Sequence, residues 1–218
     1  MNLRTRSNHA PPGSGAAGEM MRPVDEATVA IYERRAAEWS QRRGDATDDL
    51  GLRFRERAGG GLAADLGCGS GRYLPQIGQP VVGIDATARM LALASGRGYP
   101  LVRADLERLP FGDGVLDGAF GRHSYLHLPR ERLTAALAEA SRVLRPGGLL
   151  MITLIEGTYA GHALPGDDLP GRYFACWTEP DLIGTLRAAG YADIRIVRAG
   201  RRHGSPDLQA TARSRTSR

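Results

Sequence analysis

Three glycines at alternate positions, preceded by an acid, form Asp65-x-Gly67-x-Gly69-x-Gly71 within "LAADLGCGSGRYLPQIG". Glycine is costly inside a helix or strand, so this spacing reads as a tight turn that lets backbone approach a ligand. A nicotinamide or flavin site needs G-x-G-x-x-G, but the sixth position is Arg72 counted from Gly67 and Leu74 counted from Gly69. A phosphate-binding P-loop is excluded as well, because no Gly-Lys-Ser/Thr follows. A second acid, Asp85, ends "VVGID" 18 residues after Gly67, near the spacing at which a carboxylate grips ribose hydroxyls. A third, Asp105, ends "PLVRAD". Three carboxylates around one crevice suit a nucleoside carrying an amine and a sulfonium, not a triphosphate. A helix N-terminus after the glycine turn would hold one carboxylate of such a ligand. A separate cluster, "GRHSYLHLP", offers His123 as a general base, with a hydrogen-bonding or cofactor-lining role as the alternative. It offers Tyr125 and His127 as substrate contacts, with packing between Leu126 and Leu128 as the alternative for His127. His123 and His127 stand i, i+4 and could share a metal, but no third ligand follows, so none is expected.

The elements that must position these groups alternate. "VVGID", "PLVRAD", "GVLDGAFG", "LLMITLIEG" and "YADIRIVRAG" read as strands, with "DLQATAR" as a short last one. Helical stretches separate them: "TARMLALASGRG", "PRERLTAALAEASRVLRPGG" and "TEPDLIGTLRAAG", the last with Thr178 as N-cap, Pro180 in the first turn and Gly190 past its end. Such alternation predicts an α/β fold with a doubly wound, Rossmann-like parallel sheet and ligands at the carboxyl ends of its strands. Ahead of the glycine turn, Val29, Tyr32, Ala36 and Trp39 follow helical spacing, and a second helix is expected from Asp48 to Arg57. Trp39 reads as a helix-packing residue and Cys68 as a small turn residue. Asp113 and Asp117 read as structural.

The expected organisation is a disordered leader over 1–22, a single domain over 23–212 and a basic tail over 213–218. Within the domain lie an N-terminal helical cap at about 25–57 and a lid at about 156–177. The lid, "EGTYAGHALPGDDLPGRYFACW", offers Tyr159, His162, Tyr173, Phe174 and Trp177 as substrate contacts. Phe174 and Trp177 have the alternative role of covering the sheet edge. No apolar run has the length of a membrane span, and two cysteines form no disulfide framework, so a cytoplasmic location is expected. The chain has no lysine, and its net charge of +5 is concentrated after position 197, in six arginines set against Asp207. That end reads as a solvated tail, with nucleic-acid contact as the alternative.

The runs "LAADLGCGSGRYL", "VVGID", "RADLERLPFGDGVLDGAFGRHSYLHL" and "ASRVLRPGGLLMITL" together resemble class I S-adenosylmethionine-dependent methyltransferases, over about Thr28 to Ala212. The resemblance implies seven strands, the last antiparallel, with helices on both faces. It implies S-adenosylmethionine as cofactor. Asp65 would meet the methionine ammonium, with Gly67, Gly69 and Gly71 beside that moiety. Asp85 would bind the ribose, Ala86 and Met90 would line the adenine, and Asp105 and Leu106 would recognise its edge. Gly121 and Arg122 would pass the methionine part, and Tyr32 would close over the cofactor. Leu116 departs from the family's usual aromatic. The resemblance implies transfer to an oxygen, nitrogen or carbon of a small molecule. An RNA acceptor stays open, because the short link between "GRYL" and "VVGID" is similar to wobble-uridine tRNA methyltransferases. A non-catalytic cofactor-binding protein is the third reading.

Overall fold

Neighbouring residues of a strand point to opposite sheet faces, and here both sides are apolar because both are covered. A computed structural model describes residues 25–215, so the leader expected over 1–22 and the end of the tail, 216–218, lie outside the described residues. The chain opens with α1 (Glu26–Arg43) and α2 (Leu50–Ala58), and then enters β1 (Ala63–Leu66). It continues through α3 (Leu74–Ile77), β2 (Val81–Asp85), α4 (Ala88–Ala94), β3 (Leu101–Arg103) and β4 (Leu116–Arg122). The second half is α5 (Arg130–Val143), β5 (Leu144–Ile155), β6 (Ala160–Gly161), β7 (Phe174–Ala175), α6 (Glu179–Ala188), β8 (Tyr191–Arg202) and β9 (Ser205–Ser214).

Seven strands form one sheet in the order β3-β2-β1-β4-β5-β9-β8. The pairs from β3 to β5 are parallel, and β9 is antiparallel to both of its neighbours. The strand order reverses between β1 and β4, so a crevice opens beyond the ends of these two strands. Ala64, Ala119, Leu150 and Ile152 pack on α5 and α6 through Leu133, Leu137, Leu182 and Leu186. Their chain neighbours Ala63, Phe120, Leu149 and Met151 face the other way, onto Phe54 of α2 and Leu74 and Ile77 of α3.

Three expectations change. The helix expected to reach Pro-Gly-Gly stops at Val143, and Leu144 already belongs to β5. A proline cannot continue a helix, and the residue before it is pushed toward extended backbone. The short last strand is ten residues long, because it pairs on both sides. Much of the expected basic tail is therefore sheet. Arg198 lies in β8 and pairs with Glu156 and Glu179, while Arg213 lies in β9 and donates to the Gly147 and Arg57 carbonyls. Thr178 does cap α6, its hydroxyl accepting from the Asp181 amide.

Candidate functional site

A pocket opens at the crevice beyond β1 and β4, roofed by α1. Its floor is the glycine turn. Gly67, Gly69 and Gly71 all have positive φ (77°, 54° and 74°), a region where side chains are strained. Gly67 and Gly69 line the pocket. Gly71 does not: a Cβ there would meet Leu74, Arg97 and Ala94, so this glycine closes the turn underneath. The helix that follows, α3, has only four residues, which removes the helix-terminus carboxylate site expected from the sequence.

Asp65 and Asp85 stand side by side in the pocket wall. Asp65 is buried, and its Oδ2 has no hydrogen-bond partner among the described residues. Burial, reinforced by the Asp85 charge, pushes its carboxyl up to about 8. Asp85 is also raised by burial, against the pull of two amides: Thr87 N donates to Oδ1 at 2.8 Å and Gly69 N to Oδ2 at 2.9 Å. A buried carboxyl without a partner, beside a half-buried carboxylate already held by two amides, is unfavourable when ionised, so the pair suits donors that arrive with positive charge. Beyond them Ala86, Met90, Ala104 and Leu106 line an apolar part of the pocket. Asp105 itself is absent from that lining. Its Oδ1 accepts from the Glu107 amide at 3.0 Å, and its backbone pairs with Arg108. The carboxylate shapes the turn that carries Ala104 and Leu106.

The far side of the pocket holds Arg122, His123, Ser124, Leu126 and His127. His123 has φ 55°, strained for a side-chain residue, and its Nε2–H donates to Asp207 Oδ1 at 2.9 Å. Asp207 is buried at the start of β9, which explains why no local motif announced it. Arg122 sits 3.3 Å from Asp48 and 3.8 Å from Asp207. His127 donates from Nδ1 to the Tyr173 carbonyl at 2.7 Å, since a carbonyl can only accept, and its Nε2 meets the Tyr32 hydroxyl at 3.0 Å. The two histidines thus turn to different partners. No three-residue metal-ligand group is found among the described residues.

Several expected contacts lie elsewhere. Tyr125 is fully buried beneath the turn, packed in the core, with burial pushing its phenol far up. Gly121 does not line the pocket; a Cβ on it would strike Ser124 and Tyr125. Trp177 is a core residue with Arg130 stacked over its ring at 4.7 Å. Tyr159 uses its hydroxyl to accept from the Ala163 amide, and His162 pairs with Asp25. Tyr173 stacks edge-on against His162, and none of Tyr159, His162, Tyr173 and Trp177 lines the pocket. The lid places Phe174 and Arg172 there instead.

Residues not expected at the pocket include Trp39, Arg172, Ser124 and His203. Of the four α1 residues at helical spacing, Val29, Tyr32 and Trp39 face the pocket and Ala36 is buried with Thr28 and Ile31; the departure is Trp39, expected to pack between helices. His203 reaches the pocket from the β8–β9 turn with φ 51°, its Nδ1 donating to the Gly166 carbonyl at 2.8 Å. Its only sequence signal was a rare residue type in a turn. Cys68 is inert as a nucleophile, because burial holds its thiol well above the ordinary value. Asp113 and Asp117 pair with Arg142 and Arg145, away from the pocket.

Residues 64–152 match the family model described as a methyltransferase domain. The chain is 31% identical over 168 residues to the O-methyltransferase cnsE of Penicillium expansum, covering 69% of this chain and 59% of that protein. It is 34% identical over 124 residues to a probable tRNA methyltransferase 9B of Homo sapiens, covering 56% of this chain and 27% of that one. The chain thus spans well under two thirds of either relative. Among solved structures, the Burkholderia thailandensis 1,6-didemethyltoxoflavin-N1-methyltransferase, with bound 1,6-didemethyltoxoflavin and S-adenosylhomocysteine, superposes with a TM-score of 0.66 at 25% identity, covering 94% of each chain. The sheet with its single antiparallel strand, the acid–glycine turn beneath the pocket and these likenesses agree, and the chain belongs to the class I S-adenosylmethionine-dependent methyltransferases.

Proposed function

We propose that this protein binds S-adenosylmethionine and transfers its methyl group to an oxygen, nitrogen or carbon nucleophile of a small molecule. The observation that carries the reading is buried Asp65 beside half-buried Asp85, with one Asp65 oxygen lacking a partner among the described residues in a pocket floored by glycine backbone. Asp65 would hold the ammonium and Asp85 the ribose hydroxyls. Ala86, Met90 and Leu106 would hold the adenine. When bound, the cofactor supplies an already activated methyl group, so the protein's work is placement and exclusion of water. Tyr32 and Trp39 do the excluding from α1. Where the acceptor carries a proton on its nucleophile, the His123 imidazole takes it and the Asp207 carboxylate stabilises the imidazolium that results.

The charge balance of the acceptor side supports a small molecule over RNA. Arg172 pairs with Asp167 and Asp168, and Arg122 with Asp48 and Asp207, which leaves Arg72, held by the Gly44 and Asp45 carbonyls, as the pocket arginine without a carboxylate partner among the described residues. The likenesses to an O-methyltransferase and to a tRNA methyltransferase keep both acceptor classes in the test.

Calorimetric titration with S-adenosylmethionine is expected to show binding that Asp85→Ala weakens by roughly 100-fold, the scale of losing hydrogen bonds to a charged group. Incubation with methyl-labelled cofactor and fractionated cell extract is expected to place label in the small-molecule fraction. Label in RNA would replace the acceptor class. Absence of binding heat, with Asp85→Ala unchanged, would overturn the cofactor reading.

A further inference from the structure

Arg172 lies in the segment joining β6 to β7 and is only 3% exposed. Its guanidinium pairs with the carboxylates of Asp167 and Asp168 and donates to the Leu169 carbonyl. Those partners suffice to neutralise it. A further donor, Nη1, is aimed at the Tyr32 hydroxyl at 2.7 Å, and the guanidinium stacks between the rings of Tyr32 at 5.3 Å and Phe174 at 5.1 Å.

The consequence is one consistent placement of protons. Arginine can only donate, so the Tyr32 oxygen is its acceptor. The Tyr173 carbonyl holds a His127 proton on Nδ1, so in the neutral imidazole Nε2 accepts. The Tyr32 proton therefore points at His127, across 3.0 Å. The same loop grips α1 at other points: the Tyr173 amide donates to Thr28 Oγ1 at 2.7 Å, and Asp168 pairs with Arg43 at 2.7 Å. The roof of the cofactor pocket and the loop on the acceptor side thus share their fastenings.

We propose that Arg172 is a positioning residue of the methyl-transfer site: it locks Tyr32 onto His127 and ties the β6–β7 loop to α1, so that cofactor exchange and acceptor entry open together. This rests on the cofactor reading of the preceding section. The lock adds one buried donor from the acceptor-side loop to the loop–α1 contacts that release of the spent cofactor must loosen.

The experiment uses the full chain with S-adenosylhomocysteine as probe. Trp39 lines the pocket and reports binding by fluorescence, while Trp177 sits in the core as a constant background. Arg172→Met and Tyr32→Phe are expected to speed release of the probe about ten- to a hundredfold, with little change in association. Arg172→Lys, which keeps a charged donor, is expected to recover part of the slow release. The ring ¹⁵N resonances of His127, assigned with His127→Gln, are expected to show a single neutral tautomer protonated at Nδ1, with the Nε2 resonance displaced in Tyr32→Phe. Release rates and His127 resonances equal to wild type in both variants would overturn the proposal. So would an unfolded Arg172→Met beside a Tyr32→Phe with unchanged release, which would make Arg172 a packing group. If the wild-type chain does not bind the probe, the cofactor reading fails, and the His127 resonances alone decide the lock.

Discussion

Asp65→Asn is expected to weaken cofactor binding by about 100-fold or more and, at the same time, to stabilise the empty protein. The two effects share one cause. Asp65 is buried beside Asp85 with an oxygen that has no partner, and its carboxyl titrates at about 8 in the folded chain. An unfolded aspartate titrates near 4. Between those values the folded protein holds a proton that the unfolded chain has lost, so stability falls as pH rises from about 4 to about 8. Above that window the folded state carries a buried, uncompensated charge. Asparagine removes that charge and its share of the slope, and at about 1.4 kcal/mol per pH unit the gain reaches roughly 4 kcal/mol near pH 7. Melting curves measured at several pH values check it: across the window the wild type should lose stability relative to the variant, since the other titrating groups, Asp85 among them, are common to both.

The binding half of the same result has a second signature. At pH 7 a carboxyl that titrates near 8 is mostly protonated, and an incoming ammonium favours the ionised form. Binding should therefore release close to one proton. Affinity should rise about tenfold per pH unit between roughly 5.5 and 7. Calorimetry in buffers of different ionisation enthalpy counts the proton. In Asp65→Asn the affinity should fall by about 100-fold or more, the cost of removing one partner from a buried charge pair, and the pH slope should vanish. A variant that binds normally, or a wild type whose binding releases no proton, would rule out Asp65 as the ammonium's partner.

Gly67→Ala is expected to be the most disruptive single methyl in the chain's glycine turn. The residue has φ 77°, and an added Cβ would stand 2.2 Å from Ser124 Cβ. Left-handed backbone costs a non-glycine residue about 1–2 kcal/mol, and overpacking adds about 1–3 kcal/mol. Relief requires moving the Ser124 backbone, and the short turn that begins there carries Leu126 and His127 into the pocket. One methyl in the cofactor turn should thus disturb both sides of the site. Gly67→Ala with Ser124→Gly removes the facing Cβ and should restore roughly half of the lost stability, leaving the backbone strain. The double-mutant cycle in denaturant separates the two terms. Gly69 is the control: it has φ 54°, but a Cβ there would meet only Trp39, at 3.5 Å. Its alanine variant should lose the strain energy alone.

The parts of this protein legible in its sequence were those with local causes. The alternation of strand and helix follows from side-chain periodicity, and it placed the sheet and the strand ends that carry Asp65 and Asp85. The acid–glycine turn could be read from spacing, because few residues other than glycine tolerate that backbone. Periodicity also found the α1 stripe of Val29, Tyr32 and Trp39, yet it reports only that one face is apolar. Whether that face meets a core or a ligand depends on what lies opposite. Tyr125 and His127 are two residues apart in one turn, and one is sealed in the core while the other lines the pocket. No pattern in "GRHSYLHLP" separates them.

What only the tertiary structure decided came from contacts between residues far apart in the chain. Asp207 pairs with His123 across 84 positions, because β9 inserts between β5 and β8. Arg172 reaches Tyr32 across 140 positions, because the β6–β7 loop folds back onto α1. Sequence alone determined the fold class and the geometry of the glycine turn, since backbone geometry and amphipathic period are properties of neighbouring residues. The acceptor side was decided by the fold, because its charges are set by partners that only the sheet order brings within hydrogen-bond reach.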